Sequence, residues 1–495
     1  MAARNVVAVD LGAESGRVVL GRFDGARVAL QELHRFPTPP RPSDGHLRWD
    51  LGDIWSQVQA GLAAAGREAG TVDAVGVDAW GVDYGLLGRD GELLGDPVSY
   101  RDPRTAGMVA EAIGRVGRER LYLATGIQII EINTIFQLLA EARAGSLQRA
   151  GRLLMIPDLF HHLLSGAAVA EYTVASTTGA YDMAGGRWAT ELLEELGVPT
   201  QPLPEVVDAG TDLGPVRLDL PGFGTARVIA PPSHDTASAV VGVPLEGPGA
   251  AYVSSGTWSL VGVETSQPQI TEAAMAANLT NEGGAYGTIR LLRNSTGMWL
   301  LQESRRQWAR EGRDHSYEEL VGLAAAVPSG ASVVNTDHPD FVAPGDLPAR
   351  VRAYCERTGQ PPPADDGALV RCVLDSLALG YRRTVEDLAA VTGSPVTAVH
   401  IVGGGSRNQL LNQAVADVTG LPVVAGPVEA TALGNTLVQL IALGELEDLS
   451  QAREVVREGA GPEIRRVEPS AADRLAERYG RYRELVAADR LEVGV

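Results

Sequence analysis

The chain has 495 residues, 45% of them hydrophobic, and a formal net charge of -20. That length suits about two to four domains; the acidic balance argues against general binding to nucleic acid or anionic membranes, and no apolar run reaches the roughly 18 residues of a membrane span. There is no lysine, all 42 basic residues being Arg, which excludes a Schiff base, a Walker-type phosphate lysine and the protein-kinase lysine. The first apolar run begins almost at the N-terminus, so the expectation is a cytoplasmic chain without a leader. "VVAVDLGAESGRVVLGRF" (6–23) reads as strand, tight turn and returning strand, with Asp10 closing the first run. The turn offers backbone N–H groups at Gly12, Ala13 and Gly16, the Ser15 hydroxyl and the Arg17 cation. That chemistry suits phosphate oxygens, with a carboxylate nearby for a hydrated metal. An ordinary hairpin with a turn-capping Asp uses the same residues.

A second strand spans 27–35, an amphipathic helix 53–70, and a strand with a glycine-rich turn 72–87. "DAWGVDYG" places Asp78, Trp80, Gly81 and Asp83 together. An aromatic beside carboxylates holds a sugar ring, or is a core Trp with capping Asp residues. "SYRDPRT" (99–105) adds Arg101, Asp102 and Arg104, and helical patterns then run to about residue 165. Strands return with "LPEVVDAGTDLGPV" and 224–244. Within the latter, "PSHDTASA" (232–239) sets Asp235 near a helix start, where N–H groups and the dipole hold a carboxylate charged. Flanked by His234 and Thr236, a charged Asp235 is equipped to accept a proton from a hydroxyl. A helix cap by Ser233 or Asp235 is the plainer alternative.

"AYVSSGTWSLVGVE" repeats the logic of the opening hairpin, with Ser254 at the acidic position, and suggests a second, related domain from near residue 245. Its Gly256 amide and Thr257 hydroxyl suit a second phosphate. Residues 291–308 read as a helix with Asn294 at its start and Gln302, on a solvated face, two turns on. Gly403, Gly404 and Gly405 follow a strand and precede a helix, which lets a flat ring lie against bare backbone. A dinucleotide fingerprint fails there, because Asn408 stands where its last glycine belongs. "EATALGNTLVQLIALGE" (429–445) is a small-residue helix, and the Arg/Glu-rich tail from 463 reads as a solvated one. Cys355 and Cys372 flank the "GQPPPADDG" loop. They suit either a disulfide or two buried free thiols, and activity is expected to need no bridge.

Taken together, "VDLGAESGR", "DAWGVDYGLL", "SYRDPRT", "IPDLFHHLLSG", "EYTVASTTGAYD", "SHDTASA", "SSGTWSL", "IVGGGSRNQLLNQAVADVTG" and "GPVEATALGN" resemble the FGGY carbohydrate kinases from about residue 4 to 445. The resemblance implies an α/β chain of two ribonuclease-H-like domains, the actin-like ATPase and sugar-kinase fold, with an interdomain cleft. Residues 1–244 would mainly bind sugar, 245–462 would mainly bind nucleotide, and 463–495 would form a helical tail. By motif, Asp235 resembles the family's catalytic base; Gly81, His234, Thr236 and Asn294 match sugar contacts. Ala13, Glu14, Ser15, Gly16 and Arg17 resemble the first phosphate loop, although Glu14 brings negative charge into it. Thr257, Gln302 and Gly404 match nucleotide contacts, and Asp10 would approach Mg²⁺ through water. The implied partners are ATP and a small sugar, with no nucleic acid or membrane. The motif set is most similar to the branch acting on L-rhamnulose, implying transfer from ATP to its C1 hydroxyl to give L-rhamnulose 1-phosphate and ADP. A kinase for L-fuculose or D-xylulose, or a non-catalytic ATP and sugar sensor, is the alternative.

Overall fold

In the computed structural model, residues 4–245, 247, 249–459, 464–470 and 474–493 are described. The opening apolar runs form β1 (Arg4–Leu11), β2 (Ser15–Phe23) and β3 (Val28–Pro37). With β4 (Ala74–Ala79), β5 (Asp212–Pro215) and β6 (Arg227–Ile229) they make one six-stranded sheet in the order β5-β6-β4-β1-β2-β3. β6, β4 and β1 run parallel, and β5, β2 and β3 pair antiparallel to their neighbours. The runs Val6–Val9 of β1 and Ala74–Val77 of β4 are apolar because both faces are covered, as parallel strands require. Val6, Phe23, Ala74 and Ile229 pack with Val241 and with Leu437 and Val438 of the helix Ala430–Ala442.

The second half repeats that plan. Its strands are β7 (Ala250–Ser255), β8 (Trp258–Thr265), β9 (Ile289–Thr296), β10 (Ala398–Val402), β11 (Val423–Ala425) and β12 (Arg465–Val467). They stand in the order β12-β11-β10-β7-β8-β9 within a seven-stranded sheet. β11, β10 and β7 are parallel, and β12 and β8 pair antiparallel to their neighbours. The strand order of the first sheet recurs with one difference in connection, the edge strand β5 preceding its partner β6 along the chain whereas β12 follows β11, so the faint repeat in sequence is a duplicated fold.

The chain folds as two compact units. The first comprises Met1–Pro244, Glu264–Leu291 and Glu429–Gly461, the second Leu245–Val263, Leu292–Val428 and Pro462–Val495. The expected contiguous domain over 245–462 differs from these units, since 264–291 and 429–461 belong to the first. Two further expectations are corrected. Asn294 is not at a helix start; it lies on β9, and the helix begins at Trp299. The segment extends because Arg290 and Arg293 are buried with partners, which breaks the helical reading of "LLRNSTGMWLL". The tail is not a wholly solvated helix. β12 pairs with β11, and Leu475, Tyr479, Tyr482, Leu485 and Val486 are buried in the second unit's core. Cys355 and Cys372 are free, buried thiols within hydrogen-bonding reach of each other. Among the described residues no helix is long and apolar enough to cross a membrane.

Candidate active site

In the first unit, three chain segments meet at the C-terminal ends of β1 and β4. Asp10, the penultimate residue of β1, stands opposite Arg17 on β2 and Asp78 on β4. Trp80 N–H donates to Leu11 O (3.1 Å), and Ala79 bridges His234 in parallel fashion. The turn between β1 and β2 closes through Gly12 N–H to Ser15 O (3.0 Å) and is held from outside by the Thr38 hydroxyl on Gly12 O (2.7 Å). Arg17 lies between two carboxylates: Nη2 is 2.6 Å from Asp10 Oδ2, and Nη1 pairs with Glu429. Asp78 is fully buried and accepts from Asn435 Nδ2 (2.6 Å). Burial, then the charge of Asp10, pushes its carboxyl well above the usual range.

Asp235 is the first residue of the helix Asp235–Val241, with His234 as a cap that makes no side-chain cap bond. Neither Ser233 nor Asp235 caps the helix; the Ser233 hydroxyl donates to Pro231 O (3.0 Å). Asp235 Oδ1 accepts from Thr236 N (2.5 Å) and the Thr236 hydroxyl (3.2 Å), and lies 3.4 Å from His234 Nε2. The expectation of a helix start holding this carboxylate charged is overturned. Burial, reinforced by the charge of Asp10, raises Asp235 to about 7, outweighing the Thr236 donors. A helix of two turns has a weak dipole, and its N–H groups reach only one carboxylate oxygen. His234 is pushed well below its ordinary value by burial and by the charge of Arg290, and is neutral at pH 7.

The turn carrying these residues rests on groups that the sequence reading did not single out. Glu171 Oε2 accepts from Ser233 N (2.9 Å), Thr173 N (2.9 Å) and the Thr173 hydroxyl (2.6 Å), and Thr173 Oγ1 in turn accepts from His234 N (3.1 Å). Burial lifts Glu171 to about 8. Arg290 and Glu282 stand on the far side of His234. A charged residue inside an apolar stretch ("AVAEYTVAS", "GTIRLL") was the available signal. Gly81 belongs to this group: a Cβ there would lie 3.3 Å from His234 Nε2 and 3.0 Å from the Thr177 hydroxyl. The next residue, Val82, has φ 67°, unusual for a β-branched side chain, and is held by Thr134 and Gln137 donating to its carbonyl (2.6 and 3.2 Å). Trp80 and Asp83 follow the structural alternative. Asp83 Oδ2 accepts from the indoles of Trp49 (2.7 Å) and Trp80 (3.1 Å) and from Tyr100 N (3.1 Å), deep in the core. Asp102 likewise accepts from Leu47 N (2.6 Å) and Arg104 N (3.0 Å), while Arg104 pairs with Glu141 and Gln137.

Thr257, Asn294, Gln302 and Gly404 lie in the second unit. Gly297 N and Trp299 N donate to Thr257 O (3.1 and 3.2 Å), so the turn after β7 is tied to the start of the helix Trp299–Arg310. Gln302 is on that helix, and its Oε1 is buried with no hydrogen-bond partner among the described residues. That buried oxygen departs from the expected solvated face. Gly405 must be glycine, because a Cβ would overlap the Ser255 hydroxyl, whereas the space beside Gly404 is open. The Ser259 hydroxyl, below the same turn, meets the Tyr381 hydroxyl at 2.6 Å.

The first unit thus sets two carboxyl groups at parallel strand ends and a buried acid at a helix start, and its hairpin recurs in the second unit. The model of the FGGY family of carbohydrate kinases, N-terminal domain, matches residues 5–242, and that of its C-terminal domain matches 251–443. The chain belongs to this family of carbohydrate kinases. It is 43% identical over 489 residues to a rhamnulokinase of Pectobacterium carotovorum, covering 98% of this chain and 97% of that one. It is 42% identical over 458 residues to a rhamnulokinase of Bacteroides thetaiotaomicron, covering 92% and 94%. Among solved structures, xylulose kinase of Lactobacillus acidophilus superposes with a TM-score of 0.79 at 17% identity, covering 99% of both chains. Plasmodium falciparum glycerol kinase with ADP gives 0.75 at 14%, covering 98% of both. These establish the two-domain α/β sugar-kinase fold.

Proposed function

We propose that the chain transfers the γ-phosphoryl group of ATP to the C1 hydroxyl of L-rhamnulose, with Asp235 as the base. The observation that carries the chemistry is the Asp235 carboxyl, raised to about 7 and gripped at Oδ1 by Thr236. A base poised near the working pH takes up a proton late in a transfer that demands mainly orientation. The C1 oxygen forms the new bond to phosphorus, its proton passes to Asp235, and the bridging oxygen leaves with ADP. His234, Thr236 and Gly81 hold the sugar, and Asn294 is the further sugar contact that the family resemblance implies. Thr257, Gln302 and Gly404 hold the nucleotide, and the Ala13–Arg17 turn, with Glu14, Ser15 and Gly16, faces the transferred phosphate.

Mg²⁺ fits this donor set. Asp10 and Asp78 are paired in register, and Asp78 Oδ1 is buried with no partner among the described residues. Hard carboxylate oxygens suit Mg²⁺, and by the family resemblance Asp10 would act on it through water. Bound there, the ion would supply charge neutralisation for the phosphates.

The choice of L-rhamnulose rests on the near-full-length relatives named rhamnulokinase. A coupled ADP-release assay across L-rhamnulose, L-fuculose, D-xylulose and glycerol tests it. The highest kcat/KM is expected on L-rhamnulose; a higher value on D-xylulose or glycerol removes the assignment. A cytoplasmic setting is part of the same proposal.

A further inference from the structure

We infer that Arg290 fixes the tautomer of His234, placing the single ring proton on Nε2, toward Asp235, and so selects Asp235 rather than His234 as the base. The inference rests on the reading of Asp235 given above and adds a positioning residue to it.

Arg290 is fully buried, and its Nε–H donates to Gly283 O at 2.8 Å. Nη2 lies 3.1 Å from His234 Nδ1 and 3.1 Å from Glu282 Oε2. A guanidinium has donors only. His234 Nδ1 must therefore accept, because a proton on Nδ1 would set two N–H groups against each other in a buried site. Glu282 Oε2 is 3.5 Å from Nδ1, beyond good hydrogen-bond range, and does not compete for a proton there; it balances the Arg290 charge. A doubly protonated ring would place an imidazolium beside a buried guanidinium. The remaining state is a neutral ring protonated at Nε2, 3.4 Å from Asp235 Oδ1.

That state has two effects. The Nε2–H is turned toward the Asp235 carboxylate, 3.4 Å away, and brings no net charge to it. The ring's only lone pair, at Nδ1, is occupied by Arg290, so His234 has no site for a proton on the sugar side.

The test is long-range ¹H–¹⁵N NMR of the full-length enzyme labelled at histidine, with His234→Asn identifying the signal. A neutral pattern protonated at Nε2 from about pH 6 to 8 is expected; protonation at Nδ1, or an imidazolium, overturns the inference. Arg290→Lys keeps the charge without the planar fork and is expected to lower kcat about 10- to 10²-fold, with KM for nucleotide unchanged, and to mix the tautomers. A folded Arg290→Lys enzyme with normal kcat and an unmixed Nε2–H signal also overturns it. Should that variant fail to fold, the wild-type spectrum decides, together with Glu282→Gln, which retains an acceptor for Arg290 and is expected to keep the Nε2–H state. Normal turnover in Asp235→Asn would defeat the base assignment alone, since the spectrum reads the tautomer without reference to catalysis.

Discussion

The proposed function gives Asp235 and Asp10 different tasks, and single substitutions separate them. Asp235→Asn keeps the shape and the bonds from Thr236 but removes the base, so kcat is expected to fall about 10²–10⁴-fold with nucleotide and sugar affinity by calorimetry little changed. Since Asp235 is raised to about 7, wild-type kcat/KM should climb as pH rises through neutrality and then level, a limb that the Asn variant lacks. Asp10→Asn should demand much higher Mg²⁺ and be partly rescued by it. Rescue of Asp235→Asn instead would exchange the two roles. Glu171 offers a stability readout. Its folded-state value, about 8, lies above the ordinary 4.5, so the folded state holds the proton more tightly. The resulting stability is fully present below about pH 4.5 and is lost as pH rises through about 8. Glu171→Gln keeps an accepting oxygen and cannot ionise. Its Tm should overtake that of wild type as pH rises across that window, and parallel Tm curves would refute a titrating Glu171. At this scale the sequence displayed the residues proposed to face substrate, because Gly, Asp, His and Thr at turns are legible as chemistry. Glu171, Arg290 and Glu282 act from behind the turn, and nothing in the local pattern says which turn a buried charge supports.

The helix that starts at Asp235 packs on the helix Ala430–Ala442 with little space between backbones. A Cβ at Gly434 would overlap the Ser238 carbonyl oxygen, and one at Gly242 the carbonyl oxygen of Ala430. Small residues in "HDTASAVVG" and "EATALGN" are therefore a requirement of close approach. Gly434→Ala should cost about 1–3 kcal/mol by overpacking and lower kcat as well, since relief of the overlap moves the helix that carries Asp235. An unchanged Tm and kcat would show that the interface yields without moving the base. Elements with a strong period, such as β1, β2 and the helix Leu51–Ala69, are where the sequence places them. β9 is not, because its buried arginines imitate a polar helix face while being paired in the interior. The helix Tyr479–Val493 misleads in the same way: Tyr482, Leu485 and Val486 are buried between exposed Arg483 and Glu484.

At the scale of the whole molecule, duplication was legible from two hairpins alone, since a strand–turn–strand pattern with a polar residue at the turn survives divergence. The exchange of segments was not, because proximity along the chain says nothing about which unit a helix joins. The chain passes between units at 244/245, 263/264, 291/292, 428/429 and 461/462. A fragment ending at Pro244 would lack Asn435, whose amide donates to Asp78 Oδ2, and Gln439, which donates to Val7 O at 3.0 Å. It should show no cooperative melt, and a stable fragment that binds sugar would contradict this. On the ribosome the same arrangement imposes an order of assembly. β1 is among the first strands made, yet the helix that covers it is synthesised more than four hundred residues later, after most of the second unit has emerged. For most of translation the sheet bearing Asp10 and Asp78 is an open apolar surface, and the nascent chain must be guarded from aggregation until its last quarter arrives.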